Sequence, residues 1–123
     1  DVTFIGIQTL VNRGLNAANV LADEGISVEV IDPRTLVPFD IDTIVDSVKK
    51  TGRVVIGHEA YERSGIAGEI AMQIMEKAFD YLDAPIVRVA GRNVPIPYNL
   101  SLERAAVPQD DDVINAIRAI VPT

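Results

Sequence analysis

The sequence predicts a three-layer α/β/α domain built on a mostly parallel, five-stranded sheet. Three observations predict it. Strand-like and helix-like segments alternate along the chain, which calls for right-handed crossovers and helices on both faces of the sheet. The run GISVEVIDPRTLVP at 25–38 places an alternating apolar strand (Ile26, Val28, Val30) ahead of an acid, Asp32, and a proline-bounded crossover. The 123 residues, 48% of them hydrophobic, suit one core and a single domain over 1–123.

The elements follow in order. Residues 2–8 read as the first strand, short and rich in Val, Ile and Phe. Residues 12–24 read as a helix with Leu15, Ala18, Leu21 and Ala22 at helical spacing, stopped by Gly25. The second strand is predicted over 27–32, and Pro33 and Pro38 bound a loop. Asp40 is the expected N-cap of the next helix, because its carboxylate can accept from free first-turn N–H groups. Ile41, Ile44, Val45 and Val48 give that helix one apolar face, and Gly52 ends it. A third strand is predicted over 53–57. A third helix over 64–79 has Ile66, Ile70, Ile74 and Ala78 in register, and a fourth strand covers 86–90. Residues 91–108 hold Pro95, Pro97 and Pro108 and no sustained period; either a short edge strand or a helical turn near Leu102 interrupts them. The last helix is predicted over 110–121, with Ile114, Ile117 and Val121 on one side. The chain opens at Asp1 inside a strand-like run, so it is expected to be a domain of a longer polypeptide.

Charge narrows the partners. Eleven basic against eighteen acidic residues give a net charge of −7. Nucleic acid and anionic membranes are recognised by clustered Lys and Arg, which this balance opposes. It permits a basic protein partner and equally serves solubility. No apolar run approaches the ~18 residues of a membrane span, and no signal-peptide pattern is present. Without cysteine there is neither a disulfide nor a thiolate metal site.

A doubly wound sheet takes ligands at the carboxyl ends of its strands, so the candidates are Gln8, Thr9, Asp32 to Arg34, Gly57 to Glu59 and Gly91 to Asn93. A dinucleotide site needs G-x-G-x-x-G at the first strand–helix turn. The residues there are Gly6, Ile7, Gln8, Thr9 and Leu10. Asp32 therefore reads as a strand-end residue that caps its own loop. A phosphorylated-receiver site would need carboxylates after the first and third strands, where Gln8 and the pair His58 and Glu59 stand instead. His58 is the sole histidine, and no serine or cysteine is placed to form a triad with it. His58 and Glu59 read either as contacts to a neighbouring subunit or active site, or as a loop histidine beside a helix start. Free N–H groups at the start of the third helix could hold an anion. Alternatively, Gly65 and Gly68 allow close packing on the sheet, with Glu69 answering the helix dipole. Asp110, Asp111 and Asp112 read as a helix cap and dipole complement, and Asp80 and Asp83 as a solvated turn or a seat for a basic partner.

Four stretches carry a family resemblance: ISVEVIDPRTLVP at 26–38 followed by Phe39, Asp40, Ile41 and Asp42; KKTGRVVIGHE at 49–59; SGIAGEI at 64–70 leading to FDYLDAPIVRV at 79–89; and VPIPY at 94–98 with Leu102, Glu103 and Pro108 after it. Together they resemble the C-terminal domain of the transketolase superfamily. In particular they resemble the beta subunit of the dehydrogenase component of 2-oxo acid dehydrogenase complexes, of pyruvate or acetoin type. One departure is the order Ala67, Gly68, where the family often has glycine first.

The resemblance implies a whole enzyme that decarboxylates a 2-oxo acid oxidatively and passes the acyl group to lipoyl groups. It implies thiamine diphosphate and Mg²⁺ in that enzyme, but held outside this domain, since the GDG…Asn motif is absent. No catalytic, cofactor-binding or metal-binding residue is therefore assigned here, and the domain alone is expected to be inactive. The implied partners are an alpha subunit, a second beta subunit and the basic subunit-binding domain of the acyltransferase core. Asp83 matches a docking position, with Asp80 beside it, and the end of the chain after Ile120 is expected to share that surface. The implied location is the bacterial or archaeal cytoplasm, or the mitochondrial matrix. Two other readings stand beside this one: the same domain in another transketolase-like enzyme such as deoxyxylulose phosphate synthase, and a free-standing ligand-binding α/β module.

Overall fold

A computed structural model describes residues 1–122. The order is β1 (Val2–Gly6), α1 (Thr9–Ala22), β2 (Val28–Ile31), α2 (Ile41–Thr51), β3 (Val54–Tyr61), α3 (Ile66–Ala78), a 3₁₀ turn (Phe79–Tyr81), β4 (Val87–Gly91), α4 (Leu100–Ala106) and α5 (Asp110–Ile120). The strands pair in parallel in the order β2-β1-β3-β4. The strand order therefore reverses between β1 and β3, the switch point of the sheet.

Alternation along each strand divides the core into two layers. Val2 and Phe4 of β1 and Val55 of β3 face α1 and α5, where Leu10, Leu21 and Ile117 cover them. Ile5, Val54 and Ile56 face α2 and α3, against Ile44, Val48 and Ile70. Thr3 also points to this second side, where its hydroxyl bonds to Ser47 (2.6 Å) and Thr51 (2.7 Å). Buried polar groups need such partners.

Local chemistry sets the ends of α2 as the sequence predicts. The Asp40 carboxylate accepts from Thr43 N at 3.1 Å and from the Thr43 hydroxyl at 2.6 Å. Gly52 closes the helix at φ 71°, a left-handed position that costs glycine little.

Three expectations are corrected. The sheet has four strands among the described residues, not five. Pro95 and Pro97 cannot donate to a ladder. Asn99, whose side chain accepts from Ser101 N and Leu102 N, starts α4 where an edge strand was one option. Helix α1 begins at Thr9 rather than residue 12 and buries Leu10, Gly14, Ala17 and Leu21, leaving Leu15 49% exposed. The cause is Gly14, which lies directly on the Phe4 ring, so the helix meets the sheet through its glycine and turns Leu15 outward. Strand β3 runs on to Tyr61, which pairs with Gly91 after a register shift.

Candidate functional site

The residues singled out in the sequence separate to opposite ends of the sheet. His58, Glu59, Gln8 and Asp32 lie at the carboxyl ends of β3, β1 and β2. Asp80 and Asp83 lie between α3 and β4, at the amino ends of the strands.

The carboxyl end is bridged at the switch point, where a ligand crevice would open. Thr9 Oγ1 donates to Glu59 Oε1 at 2.6 Å, bridging the switch point between β1 and β3. Beneath it Gly57 is packed by Phe4 and Leu10, with no room for even a Cβ. His58 is 2% exposed. Its Nδ1 lies 3.0 Å from the Ala60 carbonyl, which can only accept, so Nδ1 carries the hydrogen. Nε2 is buried, has no hydrogen-bond partner among the described residues, and sits against Gly65, the residue before α3. Adjacent side chains on β3 thus go separate ways: His58 inward to hold the start of α3, Glu59 outward to Thr9. Of the two glycines expected to ease packing, Gly65 does so and Gly68 faces open space. Asp32 caps its own loop, accepting from Arg34 N at 3.0 Å and pairing with Arg34 Nε at 3.0 Å. The cavity between Gln8 and Leu36 is about 150 Å³, below the ~300–1,000 Å³ of ordinary ligand pockets.

The amino end is a polar surface with aromatic edges. Asp83 N donates to the Gly52 carbonyl at 2.7 Å, fixing the turn against the end of α2. The Asp83 carboxylate stays well exposed, 3.9 Å from Arg53 Nη1. Asp80 is exposed and forms no ion pair among the described residues. Lys49 Nζ sits 5.3 Å from the centre of the Tyr81 ring, within cation–π range. Phe79 is exposed beside them. Sequence reading missed Arg53, Tyr81 and Phe79 as members of this surface. Tyr81 stands between the two acids and was open to inference; Arg53 is brought there only by the fold. The two acids are therefore flanked by Arg53 and Lys49, which offset part of their negative charge.

Asp110, Asp111 and Asp112 form the first turn of α5, and Asp112 completes a capping box by accepting from Gln109 N at 2.7 Å. Asp110 also pairs with Arg13 of α1 at 3.1 Å. Asp110 and Asp112 are absorbed by the fold, and Asp111 stays exposed.

The family profile described as Transketolase, C-terminal domain, matches residues 1–113, and the chain belongs to that family. Within it, the similarity runs to one kind of subunit. The pyruvate dehydrogenase E1 component subunit beta of Rickettsia bellii is 49% identical over 120 residues, 98% of this chain and 37% of that protein. The mitochondrial counterpart of Dictyostelium discoideum is 48% identical over 120 residues, 98% of this chain and 34% of that protein. A solved structure described as a split gene transketolase, inactive beta4 tetramer, superposes with a TM-score of 0.82 at 28% identity, covering 97% of this chain and 37% of that one. The chain spans about a third of the length of the curated relatives it matches.

The residues present do not fit thiamine diphosphate. A diphosphate–Mg²⁺ cradle needs glycines that let backbone N–H groups approach and oxygen ligands that converge. The turn after β1 offers Gln8 and Thr9, and no three His, Cys, Asp or Glu side chains group together among the described residues. Among the described residues no helix is long and apolar enough to cross a membrane.

Proposed function

We propose that this chain is the C-terminal assembly and partner-docking domain of a pyruvate-dehydrogenase-type beta subunit. The observation that carries the reading is the bridged switch point. Thr9 and Glu59 close the place where such a sheet would bind a small ligand, so function falls to the outer surfaces. The whole enzyme oxidatively decarboxylates pyruvate or a related 2-oxo acid and hands the acyl group to a lipoyl group. Thiamine diphosphate belongs to its other domains and subunits.

This domain contributes contacts to an alpha subunit and to a second beta subunit. The split gene transketolase described as a beta4 tetramer supports assembly among beta chains. Through Asp80 and Asp83 the domain seats the basic subunit-binding domain of the acyltransferase core, with the Tyr81 ring and the exposed Phe79 as apolar neighbours. His58 and Glu59, at the opposite end of the sheet, fix the start of α3 and the loop after β1. The reading places the protein in a bacterial or archaeal cytoplasm or a mitochondrial matrix, where its relatives' names divide between the unqualified and the mitochondrial.

Calorimetric titration with a subunit-binding domain from a matching acyltransferase tests the docking role. Binding that weakens as salt rises is expected, because an acidic seat on a −7 chain attracts through screened charge. Absence of binding at low salt in the assembled enzyme would refute it.

A further inference from the structure

We infer that the cleft at the free edge of β4 binds a short monocarboxylic acid, a role that goes beyond the docking reading and does not depend on it. The cleft holds about 250 Å³ between the end of β4, the residues that close α4 and the first turns of α5. Val89, Ala106 and Pro108 give it a buried, apolar floor. Arg88 and Arg92 stand exposed at its rim, with Glu62 and Asp112. Arg92 belongs to the strand-end group Gly91 to Asn93, for which the fold has so far shown no use.

Donors with capacity to spare meet in this cleft. Arg92 forms no ion pair among the described residues. Arg88 is only partly engaged: Nη1 donates to the Glu62 carbonyl at 2.9 Å, while Nη2 lies 3.7 Å from Glu62 Oε1, too far for a hydrogen bond. The strand itself supplies a third donor. β4 is an edge of the sheet, and successive residues of a strand turn their N–H and C=O groups to opposite sides. The Gly91 carbonyl accepts from Glu62 N at 3.0 Å, toward β3, and Arg92 N donates the other way, to the Ala106 carbonyl at 2.9 Å. Alternation therefore turns the Ala90 N–H to the open side, where no strand pairs with it among the described residues.

Charge and size select the ligand. A guanidinium fork and a backbone N–H match the two oxygens of a carboxylate, whereas an amine offers them no acceptor. Glu62 and Asp112 flank the two arginines, so a phosphate dianion meets more repulsion than a singly charged acid. Asp112 is also committed to the Gln109 N–H at 2.7 Å, which leaves Arg92 to the ligand. The volume falls short of the ~300–1,000 Å³ of drug-sized pockets and suits a molecule of a few heavy atoms, its short alkyl end on the apolar floor. The smaller hollow between Gln8 and Leu36 lacks this free cation, because Arg34 there is paired with Asp32.

Titration of this chain with propionate, followed by its amide resonances, tests the inference. Saturable shifts are expected at Ala90, Arg92 and Ala106, with a Kd on the order of 1 mM for so small a ligand. Propylamine, the same shape with the opposite charge, is expected to leave those amides unmoved. Arg92→Gln is expected to weaken propionate binding by about tenfold, the loss of a charged hydrogen bond. The exposed side chain makes no bond that holds the fold, and the backbone bond from residue 92 to Ala106 survives the change. Lys77→Gln, exposed on the last turn of α3, is expected to bind as the wild type does. Tighter binding of inorganic phosphate than of propionate would overturn the carboxylate assignment. Equal affinity in Arg92→Gln, or no saturable shift with propionate up to about 50 mM, would overturn the site itself. None of these outcomes bears on docking at Asp80 and Asp83, which lies at the other end of the sheet.

Discussion

Gly65 lies so close to the His58 imidazole that a Cβ at this glycine would overlap Nε2 and crowd the Tyr61 carbonyl. Three residues further on, Gly68 has open space where its Cβ would be. The two glycines of one helix start therefore predict opposite outcomes. Gly65→Ala is expected to destabilise the domain by ~1–3 kcal/mol, the usual cost of overpacking a fixed site. Gly68→Ala is expected to stabilise it by ~0.5–1 kcal/mol through helix propensity. Urea unfolding of both variants checks the contrast, and equal effects would contradict the packing of His58 on α3.

The Thr3 hydroxyl joins Ser47 and Thr51 in the layer beneath α2. Thr3→Val keeps the shape and takes the partner of the Ser47 hydroxyl, while Thr51 keeps its bond to the Arg53 carbonyl at 3.2 Å, so the change is expected to cost ~1–3 kcal/mol. Adding Ser47→Ala is expected to cost less than the sum of the two single changes, because the second removes a group already orphaned. A double-mutant cycle by chemical denaturation measures this.

Asp40 links stability to pH. Hydrogen bonds from the Thr43 side chain and backbone hold its carboxyl below the ordinary value of 3.8. A carboxyl depressed on folding stabilises the native state above its unfolded pKa, and that contribution is lost as pH falls through the lower, folded value. The loss attributable to Asp40 therefore lies below about pH 4. Asp40→Asn, which still caps a helix, is expected to flatten the acid limb of a stability–pH curve and to change little at neutral pH. An unchanged acid limb would count against the capping bond.

Asp83→Arg is expected to weaken docking of a subunit-binding domain several-fold and to leave the domain folded. The backbone bond from Asp83 N to Gly52 survives the change, and an exposed pair such as Arg53–Asp83 contributes only ~0.2–1 kcal/mol to stability. Asp80→Arg, with no ion pair among the described residues to lose, is expected to affect binding alone. Calorimetric binding beside thermal unfolding separates the two readouts.

Much of the fold was legible because local chemistry and tertiary packing agree. Asp40 and Gly52 bound α2 through groups adjacent in sequence, and Ile44, Val45 and Val48 show its buried face directly. Helix α1 was misread because Leu15 outweighs Gly14 on any hydrophobic scale, while the sheet needed a glycine under Phe4. The proline-rich segment was correctly read as irregular; its edge-strand option fell to the Asn99 cap. At the candidate sites, Asp32 as a loop cap followed from sequence neighbours. The Thr9–Glu59 bridge and the place of Arg53 beside Asp83 join residues far apart in the chain, which periodicity cannot show.

Hydrogen exchange on this chain, with and without a subunit-binding domain, tests the central claim most directly. New protection is predicted in the amides from Phe79 to Ala84 and at the end of α2 near Lys49, with the loops holding Gln8, Asp32 and Glu59 unchanged. Protection confined to those carboxyl-end loops would contradict the account, because it would place the binding surface at the end of the sheet that Thr9 and Glu59 close.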